Sequence, residues 1–344
     1  MNASLSMKDV LAQIAGGASL DEDQARRAFE LIMNGESSPA QLGAFLMGLR
    51  LRGETVQEIT AAAQVMRAKA KMIEAPPGAI DTCGTGGDAA GTYNISTAAA
   101  LVAAACGVSV AKHGNRAVSS KSGSADLLAA LGVNIDADEQ ILHRCLWQNH
   151  LCFLMAPRHH AAMRHVAQVR QELGMRTIFN LLGPLSNPAG AKRQLLGVYD
   201  RRWVLPLAQV LGRLGAERAW VVHGSDGLDE LTVTGPSQVA EWHAGELRQF
   251  EVNPEDAGLA RWPAESLRGG DATVNAAALR RLLAGESGAY RDIVLLNAAA
   301  ALIVAGRADT LAEGARQAAA AIDSGQAKRR LDDLIEVTNQ AGKA

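Results

Sequence analysis

The first part of the chain carries apolar residues at helical spacing. Side chains three and four positions apart lie on one face of a helix, and this spacing is shared by Leu42, Phe45, Leu46 and Leu49. Helix starts are marked by a Ser or Thr followed three residues later by Glu or Gln, in the pairs Ser19 and Glu22, Ser38 and Gln41, and Thr55 and Glu58. These signals predict a small all-helical domain over residues 1–73.

From Ala79 the pattern changes to short apolar strands that alternate with helices. The predicted strands are AIDTC (79–83), VSVAKH (108–113), FLMAP (153–157), QLLGVYD (194–200) and RAWVVHG (218–224), with helices over 95–106 and 124–131. The alternation predicts an α/β fold with a mainly parallel sheet covered by helices, in which ligands bind beyond the carboxyl ends of the strands. The run Pro76–Gly78 ends the helical region and is a candidate hinge.

Residues 160–187 interrupt this alternation with the helical pattern HHAAMRHVAQVRQELG and the loop FNLLGPLSNP. We expect this stretch to pack onto the N-terminal helices, which leaves residues 74–159 and 188–344 as the large α/β domain. The most apolar run, from Ile293 to Ala305, is shorter than the roughly 20 residues that a membrane crossing requires. We therefore predict that it forms a buried helix.

Composition and charge narrow the class of protein. Apolar residues make up 48% of the chain but aromatic residues only 4%, which favours helix-rich layers. The formal net charge of -2 provides no overall field for nucleic acid or a membrane surface, so we expect neither as a partner. The N-terminus lacks the features of a secretory signal, and the cysteines show no paired spacing, which predicts a cytoplasmic protein with reduced thiols at Cys83, Cys106, Cys145 and Cys152.

A glycine-rich segment, DTCGTGGD (81–88), directly follows the first predicted strand, and NIST (94–97) opens the next helix. Gly84, Gly86 and Gly87 let the backbone approach a ligand closely, and the helix start offers donors to an anion. No Gly-Lys-Ser or Gly-Lys-Thr follows, so this is not a Walker loop. The segment suits a phosphate group, but an ordinary strand-to-helix turn has the same composition.

The second predicted strand leads into KHGNRAVSS (112–120) and the polar run 122–124. Lys112 and Arg116 can neutralise phosphate charge, while hydroxyl groups and the next helix start can donate hydrogen bonds to its oxygens. The alternative is a solvated polar loop. Two donor-rich loops at the same edge of a sheet favour the anion site.

The segment HGSDGLDE (223–230) ends with the adjacent carboxylates Asp229 and Glu230. Magnesium prefers one or two protein carboxylates and takes its remaining ligands from water and phosphates. An isolated Asp-Glu pair would be read as a solvated turn. Its position beside two phosphate-suited loops predicts a metal site instead.

Four further residues fall in or near the interrupting segment. Arg170 and Arg176 could each bind a carboxylate at two points, although the residue pattern alone favours solvated surface arginines. His159 and His160 lack the spacing of two metal ligands on one helical face. We interpret the two histidines as helix-start residues that could also line the site.

Five segments together resemble, in the same order, the motifs of the anthranilate phosphoribosyltransferase family: DTCGTGGD, NIST, KHGNRAVSSKSGSADLLAALG, VRQELGMRTIFNLLGPLSNP and HGSDGLDE. The resemblance covers essentially the whole chain. The related pyrimidine nucleoside phosphorylases share the architecture but carry a Lys-Ser-Gly-Gly type loop. The resemblance implies the fold of that group, with a small helical domain, a large α/β domain and a homodimeric assembly.

The resemblance also implies the site. The residues that would hold 5-phosphoribosyl 1-pyrophosphate (PRPP) are Gly84, Gly87, Asp88, Thr92, Asn94, Ile95, Ser96, Thr97, Lys112, His113, Gly114, Asn115, Arg116, Ala117, Val118, Ser119, Ser120 and Ser124. Ser96, Asp229 and Glu230 would bind Mg2+, and the anthranilate contacts would be Gly84, Asn115 and Arg170. Ala161 and Gln168 stand where the family's HPAM and APVR patterns have prolines, beside the expected anthranilate entrance.

The activity implied is transfer of the phosphoribosyl group to the amine of anthranilate in tryptophan biosynthesis. Lys112 and Mg2+ would stabilise the leaving pyrophosphate, and His113 would assist proton removal or orient the substrate. The alternatives are a non-catalytic nucleic-acid-binding relative, which calls for basic tracts and a degraded metal pair, and a nucleoside phosphorylase, which calls for the other loop. The sequence has no basic tract, it keeps the Asp229 and Glu230 pair, and its loop is Lys-His-Gly-Asn-Arg and not the phosphorylase type.

Overall fold

The computed structural model describes residues 5–88, 90–117 and 121–340. Within the first of these ranges, the N-terminal bundle consists of α1 (Met7–Ala15), α2 (Glu22–Met33), α3 (Pro39–Arg52) and α4 (Val56–Ala68). The predicted capping boxes of α3 and α4 are confirmed, because Ser38 and Thr55 each accept a hydrogen bond from the backbone N–H three residues on. A further box opens α1, with Asp9 in the place of Glu or Gln.

The predicted capping box of Ser19 and Glu22 is wrong. Asp21 caps α2 by accepting a hydrogen bond from the Gln24 N–H at 2.8 Å, and the Gln24 side chain accepts one from the Asp21 N–H at 3.0 Å. Asp is as effective an N-cap as Ser. The residue directly before the helix therefore takes this role, and the helix starts at Glu22 itself.

One sheet in the described residues has the strand order β3-β2-β1-β4-β5-β6-β7. Its strands are β1 (Ile80–Gly84), β2 (Val110–Gly114), β3 (Leu151–Met155), β4 (Arg193–Gly197), β5 (Arg218–Gly224), β6 (Ser237–His243) and β7 (Glu246–Val252). Strands β1 to β5 run parallel, as predicted, whereas β6 and β7 are antiparallel. The carboxyl ends of the parallel strands consequently share one edge.

Helices cover both faces of this sheet. The helices that follow the bundle are α5 (Ile95–Ala105), α6 (Ser124–Leu131), α7 (Glu139–Gln148), α8 (Ala156–His159), α9 (Arg164–Leu173), α10 (Phe179–Leu182), α11 (Val204–Arg213), α12 (Ala272–Leu283), α13 (Ala289–Ala305), α14 (Leu311–Asp323) and α15 (Gln326–Asn339), of which α5, α7, α11, α13 and α15 contact strands of the sheet. Helix α13 is buried over most of its length, which confirms the prediction for the apolar run it contains. Among the described helices, none combines the length and apolar character needed to cross a membrane.

The hairpin of β6 and β7 is an element that the sequence pattern does not predict. Its two-residue turn, Ala244 and Gly245, has φ angles of 51° and 86°, as a tight hairpin turn requires. Ala-Gly is a weaker turn signal than Asn-Gly or Asp-Gly. Strand β7 is also largely exposed and polar, so it lacks the alternation of apolar residues that marks a half-buried strand.

The interrupting segment contacts the helical bundle through aromatic and aliphatic side chains. Phe29 of α2 packs edge-to-face against Phe45 of α3, with 5.4 Å between ring centroids, and against Phe179 of α10 at 6.0 Å. Val166 and Val169 of α9 are buried in the same core. The residues predicted to share one face of α3 are also buried there, namely Leu42, Phe45, Leu46 and Leu49.

A buried ion pair connects three parts of the bundle. Glu58 of α4 is fully buried, and its carboxylate accepts a hydrogen bond from the Arg52 guanidinium at 2.6 Å. The same carboxylate accepts bonds from the backbone N–H groups of Leu20 and Thr55, each at 2.9 Å. Because a buried charge without a partner is costly, Glu58 depends on this set of donors.

We expect Arg52→Ala to lower the free energy of unfolding by about 3–5 kcal/mol, because it leaves the Glu58 carboxylate buried without its charged partner. Arg26→Ala is the matched control. It removes a pair with Glu22 whose side chains are 44% and 42% exposed, and it should cost less than about 1 kcal/mol. Urea unfolding of the two variants measures the difference, and equally small losses would contradict the importance of the buried pair.

Candidate active site

Three loops that follow parallel strands meet at the carboxyl edge of the sheet. Asp229, after β5, accepts a hydrogen bond from the Gly86 N–H, after β1, at 2.7 Å. Glu230 accepts one from the Ser96 N–H at the start of α5, at 3.0 Å. The ammonium group of Lys112, in β2, donates to the Ser96 hydroxyl at 3.2 Å. The three segments singled out in the sequence therefore form one site.

Two glycines make room for Asp229 at this edge. Gly84 ends β1, Gly197 ends β4, and the two are register partners. A side chain at Gly84 would collide with the Asp229 carboxylate, and one at Gly197 would collide with its backbone carbonyl. Close approach thus requires glycine at both positions. At Gly84 the group that approaches most closely is a carboxylate of the protein itself.

The positive charge near the adjacent carboxylates, Asp229 and Glu230, does not balance their negative charge. Burial raises the pKa of Asp229, and the charges of Asp88 and Glu230 raise it further. Burial likewise raises the pKa of Glu230, against the opposing effect of the Lys112 ammonium. A divalent cation would relieve this repulsion, and Mg2+ commonly takes one or two protein carboxylates. The pair therefore fits a magnesium ion.

The protein supplies only part of such a coordination sphere. Within residues 5–88, 90–117 and 121–340, no group of three or more His, Cys, Asp or Glu side chains is arranged to hold a metal. Additional ligands would have to be hydroxyl groups, water or the oxygens of a phosphorylated ligand. This arrangement is typical of magnesium bound together with a phosphate.

Lys112 is only 3% exposed, and its side chain reaches the first turn of α5 from inside the protein. Its ammonium group donates to the Thr82 carbonyl at 2.6 Å, in addition to its bond with Ser96. Burial raises the pKa of Asp81 and of Glu230, and the charge of Lys112 opposes both shifts. In this structure the side chain therefore supports the carboxylates and the helix start from inside the protein.

His113 lies next to Lys112 in β2, so its side chain points to the opposite face of the sheet. Burial lowers its pKa to about 3, with the neighbouring His160 and His159 adding to the effect. The rings of His113 and His160 are 5.1 Å apart. An imidazole that stays neutral down to this pH is a weak base at neutral pH, which favours substrate orientation over proton removal.

The interpretation as helix-start residues is wrong for His159 but confirmed for His160, which directly precedes a short 3-10 helix at Ala161–Met163. Helix α8 ends at His159, because Pro157 places the helix start earlier, at Ala156. His159 Nδ1 lies 2.8 Å from the Lys71 carbonyl, and the Lys71 N–H donates to the His159 carbonyl at 2.8 Å. Both histidines are buried, and His159 connects the end of α8 with the segment that follows the helical bundle.

The loop after β2 is held by a carboxylate from α6. Asp126 accepts hydrogen bonds from the Ala117 N–H at 2.8 Å and from the Gly123 N–H at 3.0 Å, and it pairs with the Arg116 guanidinium at 3.1 Å. The Ser124 hydroxyl donates to a carbonyl of the same loop. The charge of Arg116 is thus already partly balanced. Of the predicted PRPP contacts, Val118, Ser119 and Ser120 lie outside the described residues.

At the start of α5, the Asn94 side chain donates to the Ser122 carbonyl at 3.1 Å and accepts a bond from the Asn275 amide at 3.0 Å. Ile95 and Thr97 are both buried. Asn94 therefore connects the loop before α6 with α12 instead of capping its own helix. Among the other predicted PRPP contacts, the half-buried ones include Gly87, Asp88, Thr92 and Gly114.

Arg170 is half-buried in α9, and the guanidinium carbon lies 5.4 Å from the centre of the Phe179 ring. Burial lowers its pKa. The interpretation of this residue as a solvated surface arginine is therefore wrong. No hydrogen bond joins Arg170 to the other predicted anthranilate contacts, Gly84 and Asn115, although all three are among the described residues.

Some residues that shape the site carry no signal in the sequence pattern. Asn275 comes from α12, far along the chain, and nothing near it indicates a contact with Asn94. Tyr199 holds the glycine-rich loop through its backbone N–H, which donates to Thr85 Oγ1 at 3.0 Å. Asp126 had a detectable signal, since an acidic residue three positions after Gly123 is typical of a helix start.

The chain belongs to the glycosyl transferase family. The family model for the helical bundle domain matches residues 8–70, and the model for the a/b domain matches residues 76–328. An anthranilate phosphoribosyltransferase from Paramagnetospirillum magneticum is 66% identical over 97% of this chain and 96% of its own length. Within that family of glycosyl transferases, the chain belongs to the anthranilate phosphoribosyltransferases.

Solved structures agree with this assignment. The anthranilate phosphoribosyltransferase of Thermus thermophilus aligns with a TM-score of 0.91 and 45% identity, over 96% of this chain and 99% of its own. The Saccharomyces cerevisiae enzyme in complex with PRPP and Mg aligns with a TM-score of 0.89 and 26% identity, over 97% of this chain and 98% of its own. The mainly parallel sheet and the helical bundle are thus shared across distant relatives.

We expect Lys112→Met to destabilise the protein more at about pH 8 than at about pH 5. Asp81 and Glu230 already have folded-state pKa values raised by burial, and removing the ammonium group raises them further. A carboxyl group with a raised folded pKa contributes its stability when protonated and loses it as the pH rises through the folded pKa. Urea unfolding at the two pH values measures the effect.

The control for this experiment is Lys121→Met, which removes an exposed lysine nearby in the sequence. Its effect should be small at both pH values. A loss in Lys112→Met that is independent of pH would show that the ammonium group does not act through the two carboxylates.

Proposed function

We propose that this chain transfers the phosphoribosyl group of PRPP to the amine of anthranilate, giving N-(5-phosphoribosyl)anthranilate and pyrophosphate in tryptophan biosynthesis. The observation that carries the proposal is the carboxylate pair Asp229 and Glu230, placed where the glycine-rich loop meets the start of α5. Its chemistry suits a magnesium-bound diphosphate. The names of the full-length relatives and the yeast complex with PRPP and Mg support this choice of substrates.

In the proposed reaction the amine nitrogen of anthranilate forms a bond to ribose C1. The bond between C1 and the pyrophosphate oxygen breaks, its electron pair leaves with pyrophosphate, and the nitrogen loses one proton. Negative charge therefore grows on the leaving group while the ribose becomes cation-like. Fixed donors and cations around the leaving group stabilise this change, which is usually the largest contribution to catalysis.

The proposed PRPP contacts come from the glycine-rich loop, the start of α5, and the loop that follows β2. Gly86 N–H and Ser96 N–H already bind carboxylates of the protein, so phosphate oxygens would use the remaining donors of these segments. The buried ammonium group of Lys112 stabilises the Ser96 hydroxyl by a hydrogen bond and the carboxylate pair by its charge. This is a positioning role and differs from direct contact with phosphate.

Ser96, Asp229 and Glu230 would hold Mg2+. Each proposed ligand is oriented by a second contact: Lys112 bonds the Ser96 hydroxyl, the Gly86 N–H bonds Asp229, and the backbone of Ser96 bonds Glu230. Bound Mg2+ would neutralise charge on the pyrophosphate oxygens. These contacts support the choice of the three residues as ligands.

Anthranilate would be recognised by Arg170, with Gly84 and Asn115 as further contacts. A guanidinium matches a carboxylate at two points, and stacking of Arg170 on Phe179 restricts its direction. The substrate amine has its own lone pair, so no activating Ser-His-Asp set is needed. His113, neutral at physiological pH, would orient the substrate. No observation favours a nucleic-acid-binding relative or a nucleoside phosphorylase.

Three broader assignments are also proposed. The helical domain comprises residues 1–73 together with 160–187, which is supported by the shared core of α2, α3 and α9, and the remaining chain forms the α/β domain.

A homodimer is supported by the outer side of α3, where Leu51 is 80% and Met47 37% exposed. Cytoplasmic location is supported by the free state of all four cysteines. Sedimentation velocity tests the assembly.

The decrease in anthranilate fluorescence on mixing with PRPP and Mg2+ tests the function directly. Omission of PRPP or of Mg2+ should each abolish the decrease. Replacement of PRPP by a nucleoside and inorganic phosphate tests the phosphorylase alternative. Turnover with the nucleoside and none with PRPP would refute the proposed reaction.

Replacing both carboxylates, in Asp229→Asn with Glu230→Gln, should lower kcat by at least about a hundredfold and raise the Mg2+ concentration needed for activity, because the metal loses its charged ligands. The fold should persist, since the change removes two repelling buried charges. Magnesium titrations of activity measure the effect. Glu251→Gln, at an exposed position of β7, is the control. An unchanged metal dependence in the double variant would argue against this site.

Arg170→Ala should raise the KM for anthranilate about tenfold to hundredfold and leave PRPP binding nearly unchanged, because it removes a charge-assisted hydrogen bond to the substrate carboxylate. Arg170→Lys should recover only part, since an ammonium lacks the planar fork. Arg164→Ala removes an exposed arginine from the same helix and serves as the control. Steady-state kinetics with both substrates varied give the answer, and a normal anthranilate KM would exclude this role.

A further inference from the structure

Arg176 is a cation that the reaction described above does not use. It lies in the connection between α9, which ends at Leu173, and α10, which begins at Phe179. Its guanidinium nevertheless reaches the glycine-rich loop of the α/β domain. A side-chain carbon at Gly87 would lie 3.1 Å from Arg176 Nε and 3.2 Å from its Nη2. A residue of the segment that packs on the helical bundle therefore borders the loop after β1.

Among the described residues, no carboxylate or hydrogen-bond acceptor is paired with this guanidinium. It packs against the ring of Tyr199, with 4.1 Å from the guanidinium carbon to the ring centroid. Arg116, by contrast, is paired with Asp126 at 3.1 Å. The N–H groups of Arg176 are therefore available, in the planar arrangement that matches two phosphate oxygens.

Two hydrogen bonds hold Tyr199 in place, one at its backbone and one at its ring hydroxyl. Its backbone N–H donates to Thr85 Oγ1 at 3.0 Å, and its hydroxyl accepts a bond from Trp203 Nε1 at 3.2 Å. Thr85 directly precedes Gly86, whose N–H holds Asp229 at 2.7 Å. The Tyr199 ring, on which the Arg176 guanidinium packs, is thus attached to the glycine-rich loop, and the same loop orients the Asp229 carboxylate.

We propose that Arg176 binds the pyrophosphate group of PRPP and holds it as it leaves. This inference rests on the proposed function and adds a contact to its leaving group. The position favours pyrophosphate over anthranilate, because Gly87 adjoins the amide that orients Asp229, at the metal end of the site. Arg170, which is assigned to anthranilate, stacks on Phe179 instead.

Binding of pyrophosphate would also neutralise the guanidinium at the boundary between two parts of the chain. The segment carrying Arg176 packs with α9 against the bundle, whereas Tyr199 and Gly87 belong to loops of the parallel sheet. A phosphate held by both sides would join them.

Titration with inorganic pyrophosphate and Mg2+ tests the proposal without requiring turnover. Arg176→Gln should raise the Kd of pyrophosphate about tenfold to hundredfold, as expected for loss of a charge-assisted contact. Arg176→Lys should restore only part of the affinity. Arg164→Gln, at an exposed position of α9, should leave the Kd unchanged. In steady-state assays, Arg176→Gln should raise the KM for PRPP and change that for anthranilate less than about twofold.

A double-mutant cycle separates orientation from general damage. Tyr199→Leu removes the ring that holds the guanidinium, so it should weaken pyrophosphate binding in the native background but add little in the Arg176→Gln background. Equal effects in both backgrounds would contradict the role of the ring in positioning Arg176. Thermal unfolding midpoints show whether each variant is folded, and Arg176→Lys provides the comparison if the Gln variant is not.

Two results would overturn the assignment. One is a native pyrophosphate Kd in Arg176→Gln, and the other is a raised anthranilate KM with native pyrophosphate affinity, which would place the guanidinium at the acceptor carboxylate. Failure of the unaltered chain to bind pyrophosphate with Mg2+, or to consume anthranilate and PRPP, would refute the proposed function itself. The two failures are therefore distinguishable.

Discussion

Two adjacent carboxylates at the edge of a parallel sheet impose the main physical constraint on this protein. Asp229 and Glu230 repel each other where water cannot fully solvate them, so the surrounding structure must supply donors and positive charge. Backbone amides from two loops and the ammonium group of Lys112 meet part of this requirement. A divalent cation would supply the remaining positive charge.

The same constraint accounts for the small residues nearby. The loop that carries Asp229 passes so close to the ends of β1 and β4 that Gly84 and Gly197 cannot be replaced without moving it. Close approach of the protein's own loop is therefore one cause of the glycine-rich composition, and access for the proposed ligand would be a second. A composition-based prediction of phosphate binding captures only the second cause.

The outline of the fold and the location of the site could be predicted from the sequence, because they follow from alternation. Short apolar strands connected by helices pair in parallel. Parallel pairing brings the loops that contain Asp88, Asn115 and Glu230, after β1, β2 and β5, to one edge of the sheet. The environment of individual side chains could not be predicted. Lys112 and His113 are adjacent in sequence but point to opposite faces, and burial decides what each can do.

The hairpin that completes the sheet has a consequence for the behaviour of the protein in concentrated solution. Strand β7 lies at one end of the strand order, with unpaired backbone groups along its outer side. Its exposed side chains include Glu246, Arg248 and Glu251, whose charge and hydration oppose the addition of a strand from another molecule. The terminal strand thus protects a sheet of buried apolar strands from growing by self-association.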